Sequence, residues 1–79
     1  MNIRVRLFAA FREAVGGGEL GIELPEGATV GDAWSLLLGQ HPGLVGASPS
    51  GAVNARVVSA DTVLSPGDEI AFLPPVSGG

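Results

Sequence analysis

Three observations predict an α+β domain, a mixed sheet of four to five strands with one main helix packed on one face. Segments that alternate apolar and polar residues stand near both ends of the chain, at 2–8 and 68–73. A single long stretch between them, 30–41, repeats its apolar residues at helical spacing. The 79 residues, 46% of them hydrophobic, suit one core and no second domain.

The elements follow in order. Ile3, Val5 and Leu7 share one face of the first strand, with Arg4, Arg6 and Phe8 on the other. Residues 9–15 form a short helical stretch, stopped by Gly16-Gly17-Gly18. Leu20, Ile22 and Leu24 alternate with Gly21 and Glu23, a second strand placed to pair with the first as a hairpin. After a turn at 25–28, Thr29 is a helix N-cap, with Asp32 as a short-armed capping-box partner. Val30, Ala33, Trp34, Leu37, Leu38 and His41 then make one apolar helix face, closed by Pro42-Gly43. Residues 43–51 read as loop, 52–58 as a third strand region, and 59–62 as a turn. In the connector 63–68, Pro66-Gly67 fits the centre of a type II turn, and the last strand follows.

This order, β-β-α-β-(β)-β, suits a helix laid across one face of a mixed sheet. With the first and last strands side by side in the centre, it is the β-grasp or ubiquitin-like layout. The expected division is a β-grasp domain at 1–73 and an extended C-terminal tail at 74–79.

Composition narrows the function. There is no cysteine, hence no disulfide, thiolate metal site or cysteine nucleophile, and a reducing cytoplasm is the expected compartment. The alternating start leaves no apolar targeting segment, and no run approaches the roughly 18 residues of a membrane span. A net charge of −4, with arginines scattered at 4, 6, 12 and 56, argues against nucleic acid. Lysine is absent. An activated acyl group at the chain's end would therefore meet only the α-amino group as an amine.

The end itself is the most specific feature: Pro74-Pro75-Val76-Ser77-Gly78-Gly79 directly after a strand. The glycines lack Cβ atoms and can enter a channel too narrow for other residues. The prolines have fixed φ and no N–H, so they end the strand ladder and hold a tail away from the sheet. Four residues beyond Pro75, at about 3.3 Å each, reach about 13 Å. Such an arm suits delivery of a terminal carboxyl into another protein's active site.

Residues 5–16 (Val-Arg-Leu-Phe-Ala-Ala-Phe-Arg-Glu-Ala-Val-Gly), 52–54 (Ala-Val-Asn) and 67–79 (Gly-Asp-Glu-Ile-Ala-Phe-Leu-Pro-Pro-Val-Ser-Gly-Gly) carry a family resemblance. Along nearly its whole length the chain resembles the small subunit of molybdopterin synthase, a ubiquitin-like sulfur carrier. Leu73 departs from the commonest pattern, which has an aromatic residue before the prolines. The resemblance implies that an E1-like adenylyltransferase joins the Gly79 carboxylate to AMP, using ATP, and that a sulfur donor protein then leaves a thiocarboxylate. It further implies that the large subunit of molybdopterin synthase takes up the tail, 74–79, for sulfur transfer to cyclic pyranopterin monophosphate. No cofactor is expected on the carrier, and no complete active site.

Phe8 and Leu73 are both out of phase with the core residues of their strands. Side by side they would make an exposed apolar docking patch next to the tail. Val57 extends it in one of the two phases that Val57-Val58 allows, and Arg12 is a candidate for ion pairs there. A small second core under a loop is the plainer alternative for the patch. His41, with no second histidine or cysteine, is read as a helix-end residue and not a metal ligand. Trp34 is assigned to the core. Asp68 and Glu69 point to opposite faces, as a turn cap and a partner ion pair; Asn54 supports a turn or bulge. Three other readings share the chain's features: a carrier for thiazole synthesis or tRNA thiolation, a ubiquitin-like protein modifier, and an interaction module with an inert tail. The Pro-Pro-Val-Ser spacer favours the molybdopterin branch.

Overall fold

The computed structural model describes residues 1–74. Its elements are β1 (Asn2–Leu7), α1 (Ala9–Val15), β2 (Glu19–Glu23), α2 (Val30–Gln40), a 3-10 turn (Pro42–Leu44), β3 (Ser50–Val53), β4 (Arg56–Val58) and β5 (Glu69–Leu73). They form one five-stranded sheet in the order β2-β1-β5-β3-β4. The central β1 and β5 run parallel, pairing Arg4 with Glu69 and Leu7 with Phe72; the other neighbours are antiparallel. The first and last strands therefore lie together in the middle, as the strand order requires of a β-grasp sheet.

Alternation builds the core. Ile3, Val5 and Leu7 of β1 and Ile70 and Phe72 of β5 are at most 2% exposed, and they meet Val30, Ala33, Trp34 and Leu37 of α2. Trp34 joins three elements: its ring lies 5.1 Å from Phe11 of α1 and 5.0 Å from Phe72 of β5, both tilted, a favoured arrangement for aromatic pairs. The start of α2 is doubly fixed. Thr29 Oγ1 accepts from the Asp32 N–H while Asp32 Oδ2 accepts from the Thr29 N–H, completing the capping box. The Val30 and Gly31 N–H groups donate to the carbonyls of Thr62 and Ala60, so the first turn leans on the segment before β5. At Gly51 the helix comes so near β3 that a Cβ would sit 2.9 Å from Val30 Cγ1.

Three local readings change. Residues 52–58 are not one strand region but a hairpin, β3 and β4, that begins at Ser50 and turns at Asn54-Ala55. Those two residues have φ of 48° and 71°, the left-handed pair of a type I′ turn, with alanine where glycine is the usual second residue. The segment 43–51 is also not all loop: the 3-10 turn buries Leu44 to 1% exposure. Phe8 leaves the strand and becomes the N-cap residue of α1, because Ala9, at φ 52°, turns the chain at once.

The connector behaves as expected. Gly67 has φ 84° and the Asp68 N–H donates to the Ser65 carbonyl, a type II turn about Pro66-Gly67. No helix among the described residues is long and apolar enough to cross a membrane. β5 ends at Leu73; of the expected tail at 74–79, Pro75, Val76, Ser77, Gly78 and Gly79 lie outside the described residues.

Candidate functional site: the outer sheet face beside the end of β5

The face of the sheet opposite α2 is built by the other half of each alternation. Across it runs a row set by register: Glu19 of β2, Arg6 of β1, Ala71 of β5, Ala52 of β3 and Val57 of β4. The pairing of Ala52 with Val57 settles the phase of the Val57-Val58 dipeptide, putting Val57 outward and 74% exposed. Toward the end of β5 come Leu73, paired with Ser50, and Phe8, one residue past the Leu7–Phe72 pair. Phe8 is 38% and Leu73 37% exposed. The small side chains of Ala71 and Ala52 form a low floor between this pair and Val57. The result is an apolar surface at the point where the chain leaves the sheet.

Charge frames that surface. The Arg6 guanidinium stands over the Phe8 ring, 5.6 Å from its centroid, and approaches the Glu69 carboxylate at 4.0 Å. The first contact is a cation–π interaction and the second a half-exposed ion pair. Arg6 was expected only as an outward strand residue. Its spacing of two from Phe8 on a strand was the signal for the contact, since i and i+2 share a face. The side chain of Arg12 runs along Gly18, whose Cβ position is 3.4 Å from Nε. The ion pair found among the described residues belongs to Arg6 and Glu69, not to Arg12.

Asn54 and Asp68 hold the start of β5. Asn54 Nδ2 donates to Asp68 Oδ1 at 3.1 Å, and its Oδ1 accepts from the Glu69 N–H at 3.2 Å. The Asn54 N–H in turn donates to the Glu69 carbonyl at 2.9 Å. Asp68 Oδ2 accepts from the Ser65 N–H at 2.8 Å, capping the turn. Both side chains thus brace the turn and the backbone at the start of β5. His41 serves as the C-cap of α2, with its N–H on the Leu37 carbonyl.

Sheet order and the single spanning helix define a ubiquitin-like β-grasp protein. The family model described as the ThiS family matches residues 5–79, and the chain belongs to that family. It is 38% identical to the molybdopterin synthase sulfur carrier subunit of Escherichia coli K12, over 98% of this chain and 99% of that one. It is 33% identical to small archaeal modifier protein 1 of Haloferax volcanii, over 94% of this chain and 97% of that one. A crystal structure of that modifier superposes with a TM-score of 0.87, covering 100% of both chains at 30% identity. A third likeness, 26% identical with a TM-score of 0.67 and 100% of both chains covered, is to a chain in the complex of subunits 1 and 2 of the molybdopterin-converting factor of Helicobacter pylori. The chain is thus a member of the ubiquitin-like sulfur carriers and their modifier relatives.

Proposed function

We propose that this chain is the sulfur-carrier subunit of a molybdopterin synthase and works in the cytoplasm. The observation that carries this reading is the likeness to the Escherichia coli carrier across both chains, reinforced by a family match that runs through Gly79. The outer face supplies the physical half of the argument. Phe8, Leu73 and Val57 make the docking surface for a partner, and the tail starts at Pro74, directly after Leu73.

In this reading the Gly79 carboxylate attacks the α-phosphate of ATP on an E1-like adenylyltransferase, releasing pyrophosphate. A sulfur donor protein then displaces AMP and leaves a thiocarboxylate. The large synthase subunit binds the outer face and receives residues 74–79, and the sulfur passes to cyclic pyranopterin monophosphate. Ordering the tail costs about 1–2 kcal/mol per residue, and the two prolines lower that cost by restricting the free chain. Backbone groups of Val76, Ser77, Gly78 and Gly79 offset the remainder by hydrogen bonding to the partner.

The decisive test is a chain extended by one residue after Gly79. Reconstituted with its partners, it is expected to make no molybdopterin, while full activity would remove the proposal. The likeness to small archaeal modifiers supports a second role as a protein modifier. That role predicts covalent adducts on a denaturing gel that disappear when Gly79 is deleted.

A further inference from the structure

We infer that the β4 edge of the sheet is a strand-addition site: an extended segment of the large synthase subunit pairs with the Val57 backbone and seats its next side chain, apolar and uncharged, in the cavity beside Trp34. The inference rests on the large subunit being the partner, as proposed above.

The hydrogen-bond register fixes which backbone groups are free. The Asn54 N–H donates to the carbonyl of Glu69, which stands opposite it one step beyond the Val53–Ile70 pair. Asn54–Glu69 is therefore a hydrogen-bonded pair, and alternation turns the groups of Ala52 toward β5 and those of Gly51 and Val53 toward β4. In the β3–β4 hairpin, Gly51–Val58 and Val53–Arg56 are then the bonded pairs and Ala52–Val57 the non-bonded one. The N–H and C=O of Val57 consequently point out of the sheet edge, and neither has a partner among the described residues.

The opposite edge is guarded. Met1 and Leu24 exchange both backbone bonds, so by the same alternation β2 turns the groups of Glu19, Gly21 and Glu23 to solvent. Both glutamates are exposed, and charged side chains on an edge discourage an incoming strand. At β4 the residue with the free groups is instead a valine, 74% exposed.

Val57 joins this edge to two apolar surfaces. Its side chain lies in the outer row with Ala52 and Ala71 and so continues the surface of Phe8 and Leu73. The neighbouring Val58 packs toward the core, where a cavity of about 310 Å³ opens between α2 and the hairpin. Val30, Trp34, Gly51, Val58, Ala60 and Phe72 line it, and no charged residue stands in its walls. A strand bonded to Val57 has its paired residue on the outer face and the next residue on the cavity side, because side chains alternate. A charge entering such a cavity would be left unpaired at high cost, so the side chain that fits is apolar. The three-residue β4 offers the backbone groups of one residue, too little contact to hold a second copy of this chain. A partner seated on the outer face gains these bonds as an intramolecular step.

The test measures amide hydrogen exchange of the full chain by NMR, free and in complex with the large synthase subunit. The Val57 N–H is expected to exchange rapidly in the free chain and roughly tenfold or more slowly in the complex, while the Gly21 N–H on β2 stays fast. Val57→Pro removes the donor at an edge position that tolerates proline, and Val57→Ala keeps the donor but loses the side chain. In calorimetric titrations Val57→Pro is expected to bind about tenfold more weakly than Val57→Ala, because a buried acceptor of the partner is left unpaired. Trp34 is the chain's only tryptophan, so fluorotryptophan placed in this chain alone reports the cavity through one fluorine resonance, expected to move on binding. A complex in which Val57 exchanges as fast as in the free chain overturns the inference and leaves the large-subunit reading intact. Equal affinities of the two folded Val57 variants, or an unmoved fluorine resonance, also overturn it. The exchange and fluorine measurements keep Val57 in place, so they decide the matter even where Val57→Pro fails to fold. Absence of any complex with the unsubstituted chain removes the large-subunit reading itself, and this inference with it.

Discussion

Inward Ile3, Val5, Leu7, Ile70 and Phe72 of the two central strands are at most 2% exposed, whereas Leu73 of β5 and Phe8, just past the end of β1, are 37% and 38% exposed. The inner set touches α2 and sets stability. The outer set lies outside the core cluster and shares its face with Arg6, Glu69 and the exposed Val57. Alternate positions therefore fall to the core on one side and to an exposed face on the other, the face proposed above for docking. Substitutions on the two faces should separate stability from binding.

Trp34→Ala should break the inner side most severely. It removes the ring that connects Phe11 and Phe72 and should cost about 3–5 kcal/mol, a large share of the stability of a domain this small. Urea unfolding followed by circular dichroism would read it as a collapse of the transition midpoint; a midpoint close to wild type would contradict the packing account. On the outer side, Leu73→Glu should weaken binding of the large synthase subunit by about 2 kcal/mol or more while leaving the unfolding midpoint nearly unchanged. Calorimetric titration and thermal melts on the same sample check both halves, and a matched loss of stability and binding would erase the distinction between the faces.

Smaller effects sharpen the contrast. Gly51→Ala forces a methyl group to 2.9 Å from Val30 Cγ1 and should cost about 1–3 kcal/mol, since both backbones are held by secondary structure. Ala55→Gly relieves a left-handed alanine in the β3–β4 turn and should stabilise by at most about 1 kcal/mol, the gain being reduced by the entropy of glycine in the unfolded chain. A lower melting temperature for Ala55→Gly would argue against the type I′ turn. Glu69→Gln ends the 4.0 Å pair with Arg6, whose side chains are 48% and 38% exposed. Solvent screening leaves that pair worth less than about 0.5 kcal/mol, so the melt should barely move.

Most of this architecture was legible in the sequence because the period-two and helical patterns are strong where both partners are large and apolar. The strands β1 and β5, the capping box at Thr29 and Asp32, and the Pro66-Gly67 turn follow from side chains acting locally. The hairpin of β3 and β4 was not legible, for physical reasons. Ser50-Gly51-Ala52 carries little hydrophobic signal because α2 approaches too closely for a larger residue at 51. Ala55 hides the turn by standing where glycine would have marked it. Leu44 lacked a periodic context, since one 3-10 turn is too short to show one. On the outer face, phase alone predicted the exposure of Phe8 and Leu73, 38% and 37% in the structure. The partner of Phe8, Arg6, follows from the same phase, whereas the placement of Arg12 along Gly18 depends on how the glycine loop closes, which no local pattern encodes.

Intact-mass spectrometry of the chain after incubation with ATP, an E1-like enzyme and a sulfur source tests the carrier role most directly. The account predicts replacement of one oxygen by one sulfur, located to Gly79 and absent when Gly79 is deleted. An unchanged mass in the presence of a demonstrably active enzyme and donor would contradict it.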